Sequence, residues 1–87
     1  MNLSPESARS AVRNCLAAVK PQLDLAALGD DTPLLESRVI SSFDLLELIL
    51  HLEQARGAPI TREHLRPGSF RDVSTIARVF LQAGVPR

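Results

Sequence analysis

The sequence Val39–Glu53, VISSFDLLELILHLE, decides the fold of this chain. Two serines, Ser41 and Ser42, stand directly before an apolar run. Serine is a favoured N-cap because its side-chain oxygen accepts a hydrogen bond from a free backbone N–H of the first turn. Asp44 and Glu47 follow with negative charge, which suits the positive end of the helix dipole. The pattern therefore predicts a helix that begins at the two serines, with one hydroxyl more than a cap requires.

Three groups of side chains separate around this helix when its residues are spaced at about 100°. A polar wedge contains Asp44, Glu47, His51 and Gln54. The opposite, apolar face contains Leu45, Leu48, Ile49 and Leu52. A second set, here called the apolar row, contains Phe43, Leu46 and Leu50, whose spacing by three and four residues brings them into contact. The apolar row is either part of the core or a surface strip on which a partner docks.

The same stretch resembles the phosphopantetheine attachment site of acyl, peptidyl and aminoacyl carrier proteins. In that family an Asp-Ser-Leu-like triplet opens the second helix, and a Val/Leu-Glu-Leu run follows a few residues later. Aligning Leu46-Glu47-Leu48 with that run places Ser42 at the modified serine. Ser41 then stands where the family usually has aspartate, and Phe43 where it usually has leucine or methionine.

The resemblance extends over most of the chain, roughly from Ala11 to Leu81. The sequence of Leu34–Phe43 is most similar to that of the stand-alone D-alanyl or aminoacyl carrier proteins. Arg38 occupies a place that is often glycine in the family. The chain is formally neutral, whereas many carriers are strongly acidic.

The resemblance implies an all-α fold, a small four-helix bundle of the acyl-carrier type. Three main helices, a short third helix and a long first loop would form a single carrier-protein domain over residues 1–87. It implies that Ser42 bears a covalent 4′-phosphopantetheine arm derived from coenzyme A. The thiol of that arm would hold an acyl or aminoacyl group as a thioester and shuttle it between enzymes of a biosynthetic pathway. The chain itself would not be an enzyme.

The partners implied are a phosphopantetheinyl transferase, an adenylating acyl or aminoacyl ligase or synthase, and a downstream acyltransferase. Family partners dock on the second helix through apolar and acidic positions near the serine. The matching positions here are Phe43, Asp44, Leu46, Glu47, Leu50 and Glu53.

Two alternatives stay open at this point. Ser41 could be the modified residue instead of Ser42. The chain could also be an unmodified helical adaptor that binds a helix of another protein through the apolar row. The cargo of a carrier is not readable from these residues, since it would be held on the arm; the aminoacyl class is favoured by Leu34–Phe43, with ordinary acyl cargo as the rival.

Composition excludes several other classes of function. Ten basic and ten acidic residues cancel, and the only aromatic residues are three phenylalanines, so neither charge nor stacking surface favours nucleic acid. No stretch has the apolar length of a membrane span. A single cysteine, Cys15, is typical of a reducing compartment. We therefore expect a cytoplasmic monomer whose Cys15 is a buried apolar residue.

Neither a metal site nor self-contained catalysis is expected. Glu47 and His51 are four residues apart on one helix face, but no further ligand lies at a suitable spacing. Ser42 and His51 are nine positions apart, which is over two helical turns, so His51 cannot act as the base for Ser42. His64, between charged residues, is expected at the surface.

The sequence before and after the central helix predicts further helices. Ser4-Pro5 starts a helix that ends at Lys20, because Pro21 disfavours helical geometry in the residue before it. Gly57 ends the central helix, and residues 61–65 form one short turn. A capping box at Ser69–Asp72 opens a last helix that Gly84 and Pro86 end.

The connection between the first two helices, Leu23–Arg38, is long for a compact domain. Its turn residues, Asp30-Asp31-Thr32-Pro33, predict a reversal of the chain. Its expected anchors to the core are Leu25, Leu28, Leu34 and Leu35.

Overall fold

The structure, a computed structural model, describes residues 4–66 and 68–82. Over those ranges the chain is all-helical and contains no strand, so the expected all-α class is confirmed. Helix α1 spans Pro5–Val19 and helix α2 spans Ser42–Arg56. Helix α3 begins as α-helix over Val73–Ile76 and continues in π-helical turns over Ala77–Gln82.

Local capping explains the ends of α1 and α2. The Ser4 hydroxyl accepts a hydrogen bond from the Ser7 N–H at 3.1 Å, and Pro5 occupies the first turn, where it loses no helical hydrogen bond. Lys20 closes α1 as expected. Gly57 closes α2 with φ of +69°, a left-handed conformation that glycine adopts without a side-chain clash. These boundaries confirm the sequence predictions.

The start of α3 was expected at Ser69, and this prediction is wrong. Asp72 is the N-cap, and its carboxylate accepts a hydrogen bond from the Thr75 N–H at 2.7 Å. Tertiary hydrogen bonds explain the later start. The Leu34 N–H donates to the Arg71 carbonyl at 2.8 Å, which places the residue before the cap beside the long connection. The expected end signals, Gly84 and Pro86, lie outside the described residues.

The three helices and the long connection bury their apolar side chains in one core. Helices α1 and α2 contribute the buried residues Ala8, Val12, Cys15, Leu16, Leu48 and Leu52. The connection contributes Leu28 and Leu34, and Ile40 is buried between the connection and α2. The last part of the chain contributes Phe70, Val73, Ile76, Ala77, Phe80 and Leu81. Apolar side chains of α1 and α3 therefore form most of the core.

The long connection is more ordered than its length suggests. It contains a 3₁₀ turn, Leu25–Ala27, capped by the Asp24 side chain. Leu28 and Leu34 are buried and Leu25 is half-buried, as expected for anchors. Leu35 is 40% exposed, so its expected role as an anchor is wrong. It lies in a turn closed by the Arg38 N–H, which donates to the Leu35 carbonyl, and this turn leaves the side chain on the outer side.

Arg13 fixes this connection to α1. Its guanidinium donates to the Leu25 carbonyl at 2.9 Å and to the Leu28 carbonyl at 2.7 Å. It also forms an ion pair with Asp30 at 2.7 Å. Three contacts from one side chain hold a segment that has few helical hydrogen bonds of its own.

We expect Arg13→Ala to lower the free energy of unfolding by about 2 kcal/mol, because hydrogen bonds from a charged group are worth about 1.5–3 kcal/mol. Arg9→Ala is the matched control. Its Nε lies 3.4 Å from the same Asp30, but both side chains are more than a third exposed, so a loss of at most about 0.5 kcal/mol is expected. Urea unfolding of both variants measures the difference; equal losses would contradict the role given to Arg13.

Candidate functional site

The two serines at the start of α2 do different things. The Ser41 hydroxyl accepts a hydrogen bond from the Asp44 N–H at 3.1 Å, and the Asp44 carboxylate accepts one from the Ser41 N–H at 2.9 Å. This reciprocal pair is a capping box, with Ser41 as the N-cap. Ser42 is the first residue of α2 and is exposed. No hydrogen bond to its hydroxyl is formed within the described part of the chain, so that hydroxyl is free.

Asp44 is committed to this cap. Hydrogen bonds from Ser41, above all the one from its backbone N–H, hold the pKa of Asp44 below its ordinary value, and the nearby Lys20 ammonium acts in the same direction. The Lys20 Nζ lies 3.9 Å from the Asp44 carboxylate and donates to the Val39 carbonyl at 3.1 Å. Asp44 was expected to contact partners, but its carboxylate is already used within the protein.

The lowered pKa predicts a pH-dependent contribution of Asp44 to stability. A carboxyl whose pKa is lower in the folded state stabilises the protein above its unfolded pKa, about 3.9, and loses that effect as the pH falls through its folded pKa. We expect Asp44→Asn to be less stable than the wild type at pH 7. The difference should shrink below about pH 4. Urea unfolding of both proteins over this range tests it; a difference that is constant with pH would contradict it.

The apolar row lies on the surface. Phe43 is 68% exposed, Leu46 61% and Leu50 62%, whereas Leu48 and Leu52 on the other side of the helix are fully buried. Leu45 and Ile49 are half-buried at the edge of the core. Core packing of Leu46 and Leu50, one of the two readings open at the outset, is therefore wrong. The row begins at the residue directly after Ser42.

The other two acidic residues named for partner contact differ from each other. The Glu53 carboxylate accepts a hydrogen bond from the Ile60 N–H at 2.7 Å, so it fixes the segment that follows α2. Glu47 is exposed, and no ion pair or hydrogen bond engages its carboxylate among the residues described. Glu47 is thus the acidic side chain that remains available beside the apolar row.

A depression beside Ser42 was not foreseen. Its volume is about 330 Å³, and it is lined by Lys20, Leu35, Arg38, Ile40, Ser41 and Ser42. Arg38 has φ of +58°, in the left-handed region where glycine is favoured, which explains why glycine would fit that position. Lys20 comes from the end of α1, and no local pattern links it to the serines.

Other candidate side chains do not assemble a catalytic site. His51 is half-buried and nine positions along α2 from Ser42, about 13 Å at the helical rise. His64 was expected at the surface but is half-buried, with its ring 5.6 Å from that of Phe80. Cys15 is buried as expected, and burial raises the pKa of its thiol.

Two kinds of feature are absent from residues 4–66 and 68–82. No group of three or more His, Cys, Asp or Glu side chains there is arranged to hold a metal ion. No helix there combines the length and the apolar character needed to cross a membrane.

Comparison with known proteins gave no match. No protein-family model, curated protein or solved structure is similar to this chain at a significant level. Within residues 4–66 and 68–82, the geometry defines the site as an exposed serine hydroxyl with no base placed beside it. It lies at the start of a helix, next to an exposed apolar row and a depression lined by two cationic residues. A separate enzyme can reach and modify such a hydroxyl.

Proposed function

We propose that this chain is a carrier protein whose Ser42 bears a 4′-phosphopantetheine arm. In this proposal α1, α2 and α3 are the three main helices of a carrier-type bundle. The 3₁₀ turn Arg62–His64 stands in place of the short third helix. The observation that supports it best is the division of labour between the serines: Ser41 forms the cap, and this leaves Ser42 exposed with a free hydroxyl.

The surroundings of Ser42 suit modification by a partner enzyme. A carrier serine needs no internal base, since the transferase activates the hydroxyl, forms the new O–P bond and releases adenosine 3′,5′-bisphosphate from coenzyme A. The transferase can reach Ser42 because this residue is exposed at the junction of a loop and a helix. When bound, the arm supplies a thiol that holds an acyl or aminoacyl group as a thioester. Its length and flexibility raise the effective concentration of that group at each partner.

The apolar row provides the proposed docking surface for the transferase, the loading ligase or synthase and the acyltransferase. Its three large apolar side chains are each more than 60% exposed. Surface apolar residues grouped in this way indicate a site of association. Glu47 gives the row one free negative charge, whereas Asp44 and Glu53 serve chiefly to hold the two ends of α2.

A second candidate function, an unmodified adaptor, is favoured by the same apolar row. A helix of another protein could pack on Phe43, Leu46 and Leu50 without any use of Ser42. This function does not explain why the Ser42 hydroxyl is free while its neighbour forms the cap. The carrier function is therefore preferred.

The deciding experiment is the intact mass of the protein after incubation with coenzyme A and a broad-specificity phosphopantetheinyl transferase. A gain of one phosphopantetheine is expected. If neither that enzyme nor the transferase of the source organism adds the arm to the folded protein, the carrier function is rejected and the adaptor remains.

A further inference from the structure

The depression beside Ser42 has an apolar part and a cationic part. Its apolar lining consists of Ile40, which is almost fully buried, and the outward-facing Leu35. Lys20 and Arg38 give it positive charge, and the two serines complete the lining. A group attached to the Ser42 hydroxyl would therefore start at this depression.

The two cations that line the depression have different surroundings. Lys20 lies 3.9 Å from Asp44 and is hydrogen-bonded to the Val39 carbonyl, so its charge offsets the Asp44 carboxylate. The Arg38 side chain is exposed, and among residues 4–66 and 68–82 no acidic side chain forms an ion pair with it. Arg38 thus supplies the positive charge that is available to an anion bound at this place.

The backbone at Arg38 points to the same conclusion. A residue with a Cβ atom costs free energy at φ of +58°, and glycine would avoid that cost. Residues held in such conformations are concentrated at functional sites. An arginine at this position, four residues before Ser42, is consistent with a use for its guanidinium.

The arm proposed for Ser42 has matching chemistry. Its first group is a phosphodiester with one negative charge, and one methylene further on is a carbon bearing two methyl groups. A guanidinium binds phosphate oxygens through paired N–H donors. The dimethyl carbon can pack on the apolar lining. We propose that this depression seats the inner end of the arm, with the phosphodiester against Arg38 and the methyl groups against Leu35 and Ile40.

This inference rests on the proposed function, because it requires the arm on Ser42. An acidic segment of a partner protein is the competing occupant. It is less favoured because the depression reaches Ser42 itself, where the arm is attached.

The test uses holo-protein prepared with coenzyme A and the transferase, with the mass gain on Ser42 checked first. We expect nuclear Overhauser effects between the two arm methyl groups and the Leu35 methyls. Arg38→Gln should move the ³¹P resonance of the phosphodiester and reduce those effects by at least half. Arg38→Lys, which keeps the charge, should retain most of them. Arg78→Gln, at an exposed arginine on α3 outside the depression, is the matched control and should leave both signals unchanged.

The outcomes separate this inference from the proposed function. A wild-type mass gain without arm–Leu35 effects, and with a ³¹P signal insensitive to Arg38, overturns the seat and leaves the carrier intact. No mass gain overturns both. If Arg38→Gln slows modification but leaves the holo spectra unchanged, Arg38 contacts the transferase and not the arm, which also overturns the seat. Circular dichroism of each variant checks that the fold is retained.

Discussion

Ser42→Ala is expected to abolish the gain of phosphopantetheine, whereas Ser41→Ala is expected to keep it. The first change removes the proposed attachment oxygen. The second removes the N-cap hydroxyl, which accepts the Asp44 N–H at 3.1 Å, and leaves the free hydroxyl of Ser42 in place. Intact mass after incubation with coenzyme A and the transferase gives the result for both variants.

The variant that keeps the arm, Ser41→Ala, should be the less stable of the two. Loss of a serine N-cap costs about 1 kcal/mol, so Ser41→Ala should lower the free energy of unfolding by roughly that amount. Ser42→Ala should be neutral or slightly stabilising, because alanine has the highest helix propensity and the Ser42 hydroxyl is exposed. The stable variant would thus be the unmodifiable one. If Ser42→Ala still gains the arm and Ser41→Ala does not, the site is Ser41 and the proposed assignment is wrong.

Predictions from the sequence succeeded where a local signal decides the structure. The start of α1 at Pro5 and the ends of α1 and α2 depend on serine, proline and glycine within one turn of each boundary. Helical angle also predicted the buried face of α2, since Leu48 and Leu52 are fully buried. It left open whether Leu46 and Leu50, which are exposed, belong to the core, because apolar side chains lie on two sides of this fifteen-residue helix.

Predictions failed where two nearby residues offered the same local signal. Ser69 and Asp72 are both good N-caps, and Asp72 prevailed in a segment that hydrogen-bonds to the long connection through Leu34 and Arg71. Leu34 and Leu35 are both leucines, so the sequence predicts burial equally for the two. The turn between Leu35 and Arg38 settles which of the two faces outward.

At the candidate site, too, features set by a local signal were predictable and features set by tertiary contacts were not. The free hydroxyl of Ser42 was foreseeable, because two serines compete for one cap. The sequence predicted which acidic residues lie near the site but not what each one contacts. The hydrogen bond from the Ile60 N–H to the Glu53 carboxylate, for example, joins residues on different segments. The depression was not foreseeable at all. Lys20 is 22 positions before Ser42, and only the packing of α1 beside α2 brings it near.

Leu46→Asp is expected to slow transfer of phosphopantetheine to Ser42 by on the order of tenfold or more. Burying a leucine side chain is worth about 1.5–3 kcal/mol, and about 1.4 kcal/mol corresponds to a factor of ten. Leu46 is 61% exposed, so the free protein should keep its helicity and stability when the side chain is replaced. Glu47→Lys should act in the same direction by reversing the free charge beside the row. The initial rate of mass gain at limiting carrier concentration measures both effects.

Matched controls separate docking from general surface charge. Leu65→Asp makes the same change at a leucine that is 52% exposed but lies outside the apolar row. Glu63→Lys makes the same charge reversal at an exposed residue of the Arg62–His64 turn. Both controls should leave the rate within about twofold of the wild type, since scattered surface residues contribute little to association energy. If Leu46→Asp and Glu47→Lys behave like these controls, the apolar row is not the surface on which the transferase docks. The row would then bind a partner other than the transferase.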